Sequence, residues 1–211
     1  MNEKLPTEVK RNMRTPNAKT KSKIISAAWR LFYIQGYDST TVEDIVVESG
    51  TSKGSFYHYF DGKDALLGTL STLFDEKYEQ LIPSLESIPD SFEKLMYLNR
   101  ELFQMIENSI SIDLLSKLLS TQLFAKGERH LLDRHRTYFK LLQKTVKAGQ
   151  ETGELTNSIS ASEIVKAYAL CERAFMYDWC LCSGEYSLVA YATPIFRAFM
   201  SSYRGADKKQ A

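Results

Sequence analysis

Apolar residues recur along this chain at steps of three and four, segment after segment, and rarely in strict alternation. That is the period of helices with one buried face. Ile24, Ala28, Leu31 and Phe32 form one stripe, with Ile25 and Trp29 beside it, and predict a helix over Thr20 to Gln35 that Gly36 ends. Leu66, Leu67, Leu70, Leu73 and Phe74 predict another from Lys63 to about Leu81, which Asp61 can cap. Pro83 to Pro89 breaks the pattern. Asp90 or Ser91 then caps a helix to about Asn108, with Phe92, Leu95, Met96, Asn99, Leu102, Phe103 and Ile106 on its inner side. Ser111 to Phe124 follows, rich in leucine. Beyond Gly127, a stripe of Leu131, His135, Tyr138, Phe139, Leu142 and Val146 predicts a long helix from Glu128 to about Gly149. Residues 149–155 read as a loop. Ser160 caps Ala161 to about Cys182, whose stripe is Ile164, Ala167, Tyr168, Cys171, Ala174, Phe175, Trp179 and Cys182. A last helix lies within Ser187 to Tyr203; Pro194 either kinks it or opens a fresh start capped by Thr193.

The stretch from Thr40 to Lys63 differs. Thr40 and Thr41 are both N-cap candidates, each with an acid three residues on, Glu43 and Asp44; the first pair, Thr40 with Glu43, matches the capping box. Val42, Ile45 and Val46 make a short apolar stripe. Gly50 can take the left-handed conformation that ends a helix, and Thr51 or Ser52 caps the next. Phe56 and Phe60, four apart, share the inward face of this second helix. Lys53, Ser55, Tyr57, His58 and Tyr59 project mainly elsewhere. Two short helices joined by a tight turn have helix-turn-helix spacing. An ordinary helical hairpin with a polar outside has the same spacing. The basic and aromatic residues crowded on one face favour nucleic acid, because hydroxyls, amides and positive charge hold phosphates while the leading residues reach base edges.

The composition fits an all-helical protein: 211 residues, 44% hydrophobic, with only 10 glycines and 5 prolines. The net charge of +1 hides an asymmetry. Residues 1–60 carry nine Lys/Arg against six Asp/Glu, and the remainder carries 18 against 20. A basic end on a mildly acidic body suits a chain that offers one end to a polyanion. The polar segment 1–18, with Lys10, Arg11 and Arg14, reads as a mobile basic arm that reaches DNA or as a solvated tail. Met1 to Arg14 has no apolar core of a signal peptide, and no run reaches the roughly 18 apolar residues of a membrane span. Three late cysteines, Cys171, Cys180 and Cys182, are no disulfide framework. The reading is cytoplasmic, with no membrane partner.

The run GYDSTTVEDIVVESGTSKGSFYHYFDGKDAL resembles the DNA-binding signature of the tetracycline-repressor (TetR) family of bacterial regulators. Phe32, Gly36, Tyr37, Thr41, Ile45, Gly50, Ser52-Lys53-Gly54, Phe56-Tyr57, Phe60 and Lys63 carry the resemblance. Asp61 departs from it, standing where the family has a basic or polar residue. The resemblance implies an all-α fold of about nine helices. A three-helix DNA-binding head at 19–62 would follow the arm, a ligand-binding and dimerisation body would span 63–205, and 206–211 would be a tail. It implies a homodimer through the last two helices, reading a palindromic operator in double-stranded DNA, and a small-molecule inducer that shifts the Lys63–Leu81 helix and releases the DNA. The DNA contacts implied are Thr41, Ser52, Lys53, Gly54, Ser55, Tyr57, His58, Tyr59 and Lys63, with Lys53 the base reader. A ligand pocket is implied among Phe103, Leu114, His135, Tyr138, Phe139, Tyr168, Phe175 and Trp179, since large aromatics line such sites.

Other candidates carry less. His135 lies on an apolar stripe, where histidines are commonly core residues. His130, five residues away, is on another face, so the pair is no helical metal site. Cys180-x-Cys182, with no further Cys or His near, reads as buried thiols rather than a metal or redox site. Glu172 and Asp178 sit in an aromatic-rich helix; either could face solvent, or could favour a cationic ligand from within an aromatic pocket. No catalytic signature is present: no phosphate-binding glycine loop, GxSxG, HExxH or CxxC. No enzyme activity, metal or cofactor is expected. A helical interaction module that has lost operator binding is the alternative, suggested by Asp61 and the near-neutral total.

Overall fold

The computed structural model describes residues 16–124 and 129–205. Among these residues there are α-helices, one 3₁₀ turn and no strand, so the chain is all-α. The helices are α1 Pro16–Gln35, α2 Val42–Ser49, α3 Lys53–Tyr59, α4 Lys63–Leu67, α5 Leu70–Leu85, α6 Ser91–Ser109, α7 Ile112–Phe124, α8 Thr137–Thr152, α9 Ala161–Leu181 and α10 Leu188–Ser201. Of the arm expected over 1–18, residues 1–15 lie outside the described residues, as does the tail at 206–211, and 16–18 belong to α1. The chain divides into two compact units, one through Thr69 and one from Leu70.

In the first unit α1 packs on both α2 and α3. Ile24, Ala28 and Phe32 of α1, Ile45 of α2, Phe56 of α3 and Phe60 at its C-cap are all buried. Trp29 is half-buried, edge-on to Phe32, and its indole N–H donates to the Thr69 hydroxyl at 2.9 Å. In the second unit α6, α8, α9 and α10 pack on one another, α5 lies on α6 and α8, and α7 lies on α9.

Four expected elements differ in extent. First, α1 starts at Pro16, with proline in the first helical position where its missing N–H costs nothing. Second, the helix expected over 63–81 is two helices. The Thr69 backbone N–H and hydroxyl both donate to the Leu66 carbonyl, at 2.9 and 2.6 Å. This side-chain competition for a backbone acceptor ends α4. Third, α5 then runs through Pro83 to Leu85, because a proline this near a helix end removes only one late hydrogen bond. Fourth, the stripe expected from Glu128 to Gly149 is broken. Its start lies outside the described residues, a 3₁₀ turn occupies His130–Leu132, and α8 begins only at Thr137. Asp75 of α5 sets that start: it accepts from the Tyr138 N–H at 3.1 Å and pairs with Arg136 at 3.0 and 3.1 Å. His135 therefore stands exposed in the turn before α8, off any stripe.

The helix expected to stop near Gly149 continues to Thr152. Gly149 is buried there because a Cβ would fall 2.8 Å from both the Leu155 and Ser91 side chains. Pro194 sits inside α10, which is one helix capped by Ser187. The chain end is tied back: Thr156 and Gly205 donate across to Tyr203 and Glu154, both at 2.9 Å. Arg197 grips Glu93 with two bonds of 2.7 and 2.6 Å. Among the described residues no helix is long and apolar enough to cross a membrane.

Candidate functional site

The segment from α2 to α3 is fixed by three caps. Thr41, not Thr40, is the N-cap of α2: its hydroxyl accepts from the Asp44 N–H at 3.1 Å, and Asp44 accepts in turn from the Thr41 N–H at 2.9 Å. The capping box expected at Thr40 with Glu43 is thus formed by Thr41 with Asp44. Thr40 is buried, and its hydroxyl donates to the Gly36 carbonyl at 2.7 Å, so it is unavailable. Gly50 ends α2 in the left-handed region, at φ 61°, with its N–H directed to Val46 and Val47. Ser52 caps α3 by accepting from the Ser55 N–H at 3.1 Å. Each such cap is worth about 1 kcal/mol.

These caps decide which side of α3 faces out. Phe56 is fully buried, and Phe60 closes the helix from within. Lys53, Gly54, Tyr57 and His58 are exposed, with Ser55 and Tyr59 half-exposed. The exposed group is pre-formed, because its backbone is pinned at both ends. Lys53 pairs with Glu43 of α2. That pair holds the Glu43 carboxyl below its usual pKa and raises that of Lys53. Both groups are solvated, so the pair orients Lys53 without binding it firmly.

Lys63 has a place that spacing alone does not reveal. Its ammonium donates to the carbonyls of Tyr37 and Thr40, at 2.7 and 2.8 Å, and lies 4.2 Å from the centre of the Tyr37 ring. The Tyr37 hydroxyl in turn donates to Asp64. The first turn of α4 thus clamps the loop between α1 and α2, and Lys63 holds in position the end of α2 that presents Thr41.

In the second unit a cavity of about 30 Å³ lies among α5, α6, the 3₁₀ turn, α8 and α9. Phe74, Tyr78, Leu102, Tyr138, Ala169 and Met176 give it apolar walls, and Glu172, Arg136 and Arg173 give it charge. Glu172 is 1% exposed. Its carboxylate accepts from the Asn99 amide at 2.9 Å and the Tyr138 hydroxyl at 2.7 Å. Burial pushes its pKa up to about 7, against the opposing pull of these hydrogen bonds and of Arg173. Arg136 is already committed to Asp75. The Tyr78 hydroxyl is buried with no hydrogen-bond partner, and its ring lies 5.2 Å from that of Tyr138.

Of the expected pocket residues, Tyr138 lines this cavity. Phe139 is half-buried against the Tyr138 ring, 4.7 Å away. Phe103 is wholly buried between Phe175 and Phe196, and Leu114 is buried on α7. The Tyr168 hydroxyl is satisfied by the Leu95 carbonyl at 3.0 Å, and the Trp179 indole by the Tyr186 carbonyl at 2.8 Å. These residues build the core around the cavity rather than its lining. His135 lies apart, exposed. Asp178 faces out and accepts from Tyr186. The stripe expected for α9 passed over Glu172. The buried line is Val165, Tyr168, Ala169, Glu172, Met176 and Trp179, and its i, i+3, i+4 spacing is the signal that could have found it. The three cysteines are half-buried.

Residues 24–70 match the model of "Bacterial regulatory proteins, tetR family". Among curated proteins, the HTH-type transcriptional regulator YxaF of Bacillus subtilis is 35% identical over 100 residues, 46% of this chain and 52% of that protein. TtgR of Pseudomonas putida, an HTH-type transcriptional regulator, is 29% identical over 149 residues, 64% of this chain and 70% of that one. The match therefore spans about half the length of YxaF. Among solved structures, Thermus thermophilus FadR, a TetR-family transcriptional repressor in complex with lauroyl-CoA, superposes with a TM-score of 0.75. It covers 90% of this chain and 100% of that one at 21% identity. FadR from Bacillus subtilis, in complex with stearoyl-CoA, gives 0.64 over 87% of this chain at 18% identity.

Proposed function

We propose, from the premise that this chain belongs to the tetR family of bacterial regulatory proteins, that it is a homodimeric, ligand-responsive repressor which binds a palindromic operator. The observation that carries the reading is the capped α2–turn–α3 unit. It offers Lys53, Gly54, Tyr57 and His58 outward while Phe56 and Phe60 lock the other face. Lys53 is the base reader. The Thr41 and Ser52 hydroxyls and the Gly54 amide hold phosphates, with Ser55 and Tyr59 at the margin. Lys63 contributes positive charge and fixes the loop that presents Thr41.

Dimerisation through the last two helices is supported by their exposed apolar residues. Leu170 and Leu181 of α9, and Tyr191, Ile195 and Phe199 of α10, are all exposed. Such stripes on a soluble chain are commonly buried by a second copy. Ligand response is supported by the cavity in the second unit and by the acyl-CoA complexes of two proteins of similar fold. An inducer would enter the body, act through the segment 63–85 and lower operator affinity.

The test is selection of bound fragments from a random DNA library, followed by affinity against salt. A palindrome with a steep salt slope is expected, because each neutralised phosphate releases counterions. Lys53→Ala should weaken binding to that palindrome at least about tenfold. Weak, sequence-blind binding by folded dimer would overturn the operator reading. It would favour an interaction module instead, to which the Lys53–Glu43 pair and the exposed Asp61 would then belong.

A further inference from the structure

The cavity beside Glu172 brings together an unusual set of groups for a helical core. Glu172 is a buried carboxyl with no Lys or Arg in an ion pair among the described residues; it accepts from the Asn99 amide and the Tyr138 hydroxyl, and the Tyr168 hydroxyl and Arg173 also act on it. Each carboxylate oxygen accepts one bond and has room for a second. Tyr78, equally buried, lines the same cavity with an unpartnered hydroxyl. A core polar atom left without a partner costs on the order of a hydrogen bond and points to a missing group. The rings of Phe74, Tyr78 and Tyr138 form the walls. Arg136 and Arg173 also line the cavity, but Arg136 is tied to Asp75 and neither forms an ion pair with Glu172 among the described residues.

We propose, building on the reading of the second unit as a ligand-binding body, that Glu172 and the Tyr78 hydroxyl form the head-group subsite for a protonated amine on an apolar body. The ammonium donates to the free lone pairs of Glu172 and to the Tyr78 oxygen. The aromatic rings receive its remaining positive face. The 30 Å³ cavity matches the head group, being near the size of one small polar molecule. The cavity holds only the head group, so Phe74, Leu102, Ala169 and Met176 must part to admit the apolar body.

The site carries its own signature. The groups acting on Glu172 are Tyr78 from α5, Asn99 from α6, Tyr138 from α8, and Tyr168, Cys171 and Arg173 from α9 itself. Arg136 and Asp75 neutralise each other nearby. From α7 and α10, α9 is met by the Leu119 carbonyl and the Phe196 ring, which carry no charge. Glu172 therefore titrates near pH 7 on its own account. A bound ammonium requires the carboxylate, so binding near neutral pH expels a proton.

Three probes with one body and different heads test this: 4-phenylbutylamine, 4-phenylbutanol and 4-phenylbutyrate, titrated calorimetrically into the full chain. The amine should bind at least about tenfold tighter than either analogue. Its affinity should fall about tenfold from pH 8 to pH 6, with proton release seen by comparing buffers of different ionisation enthalpy. Glu172→Gln should abolish the preference for the amine over the alcohol. Tyr78→Phe should weaken the amine selectively. Equal affinity for the three heads, no amine binding up to about 1 mM, or a preference that survives Glu172→Gln overturns the proposal. Lauroyl-CoA serves as the independent arm. If it releases protein from its selected DNA while the amine does not, the cation subsite is wrong and the ligand-responsive regulator stands. If neither the selection nor any ligand reveals DNA binding, the regulator reading itself has failed.

Discussion

Glu172→Gln also makes a prediction about folding that needs no ligand. The carboxyl is wholly buried, and burial raises its pKa from 4.5 to about 7. The folded protein then binds more protons than the unfolded chain between these values. Stability from this group is fully present below about pH 4.5, is lost as pH rises toward 7, and is level above. At about 1.4 kcal/mol per pH unit, the loss is on the order of 3 kcal/mol. Glutamine keeps the shape and the bonds: its carbonyl accepts from Asn99, and its amide donates to the Tyr138 oxygen. It removes only the ionisation. Glu93, Glu154 and Glu163, whose pKa values are lowered, act the other way, but equally in both proteins, so they cancel in the difference. The variant should match wild type within about 1 kcal/mol at pH 5 and exceed it by about 2–3 kcal/mol at pH 8. Urea unfolding at both pH values, followed by Trp179 fluorescence in a Trp29→Phe background, reads this from the second unit. A difference that is the same at pH 5 and pH 8 would refute the buried-carboxyl argument.

Three further outcomes follow from single contacts. Lys63→Ala removes the ammonium bonds to the Tyr37 and Thr40 carbonyls, and should destabilise the head by about 1.5–3 kcal/mol, read by urea unfolding on Trp29 fluorescence. A purely phosphate-binding lysine would leave that transition in place. Gly149→Ala forces a Cβ to 2.8 Å from Leu155 and Ser91, and should cost about 1–3 kcal/mol in the second unit; an unchanged thermal midpoint would contradict the close packing. Leu170→Glu with Phe199→Glu places charge on the exposed apolar faces of α9 and α10 and should yield a helical monomer in sedimentation, whereas a persistent dimer would move the interface elsewhere.

The helices themselves are local chemistry, and were legible. Periodicity in α6, the capping serine of α9 and the glycine closing α2 depend on residues within one or two turns, so the chain alone specifies them. The aromatic and basic outer face of α3 was readable for the same reason: once Phe56 and Phe60 define inside, the rest must point out. Contacts between distant segments were not legible. The choice of Thr41 over Thr40 as cap depended on Gly36 taking the Thr40 hydroxyl. The start of α8 was set by Asp75, 62 positions before Thr137 in the chain. Lys63 was readable as a cation and unreadable as the clamp on Tyr37. In α9, apolar residues surround the helix, so more than one stripe has helical spacing, the buried one through Glu172 among them. Only packing against α6 and α8 decided that Glu172 turns inward to Asn99 and Tyr138, while Phe175 and Cys171 are left half-exposed. A side chain's type is written in the sequence, but the desolvation that gives Glu172 its chemistry is a property of the neighbours that the fold assembles around it.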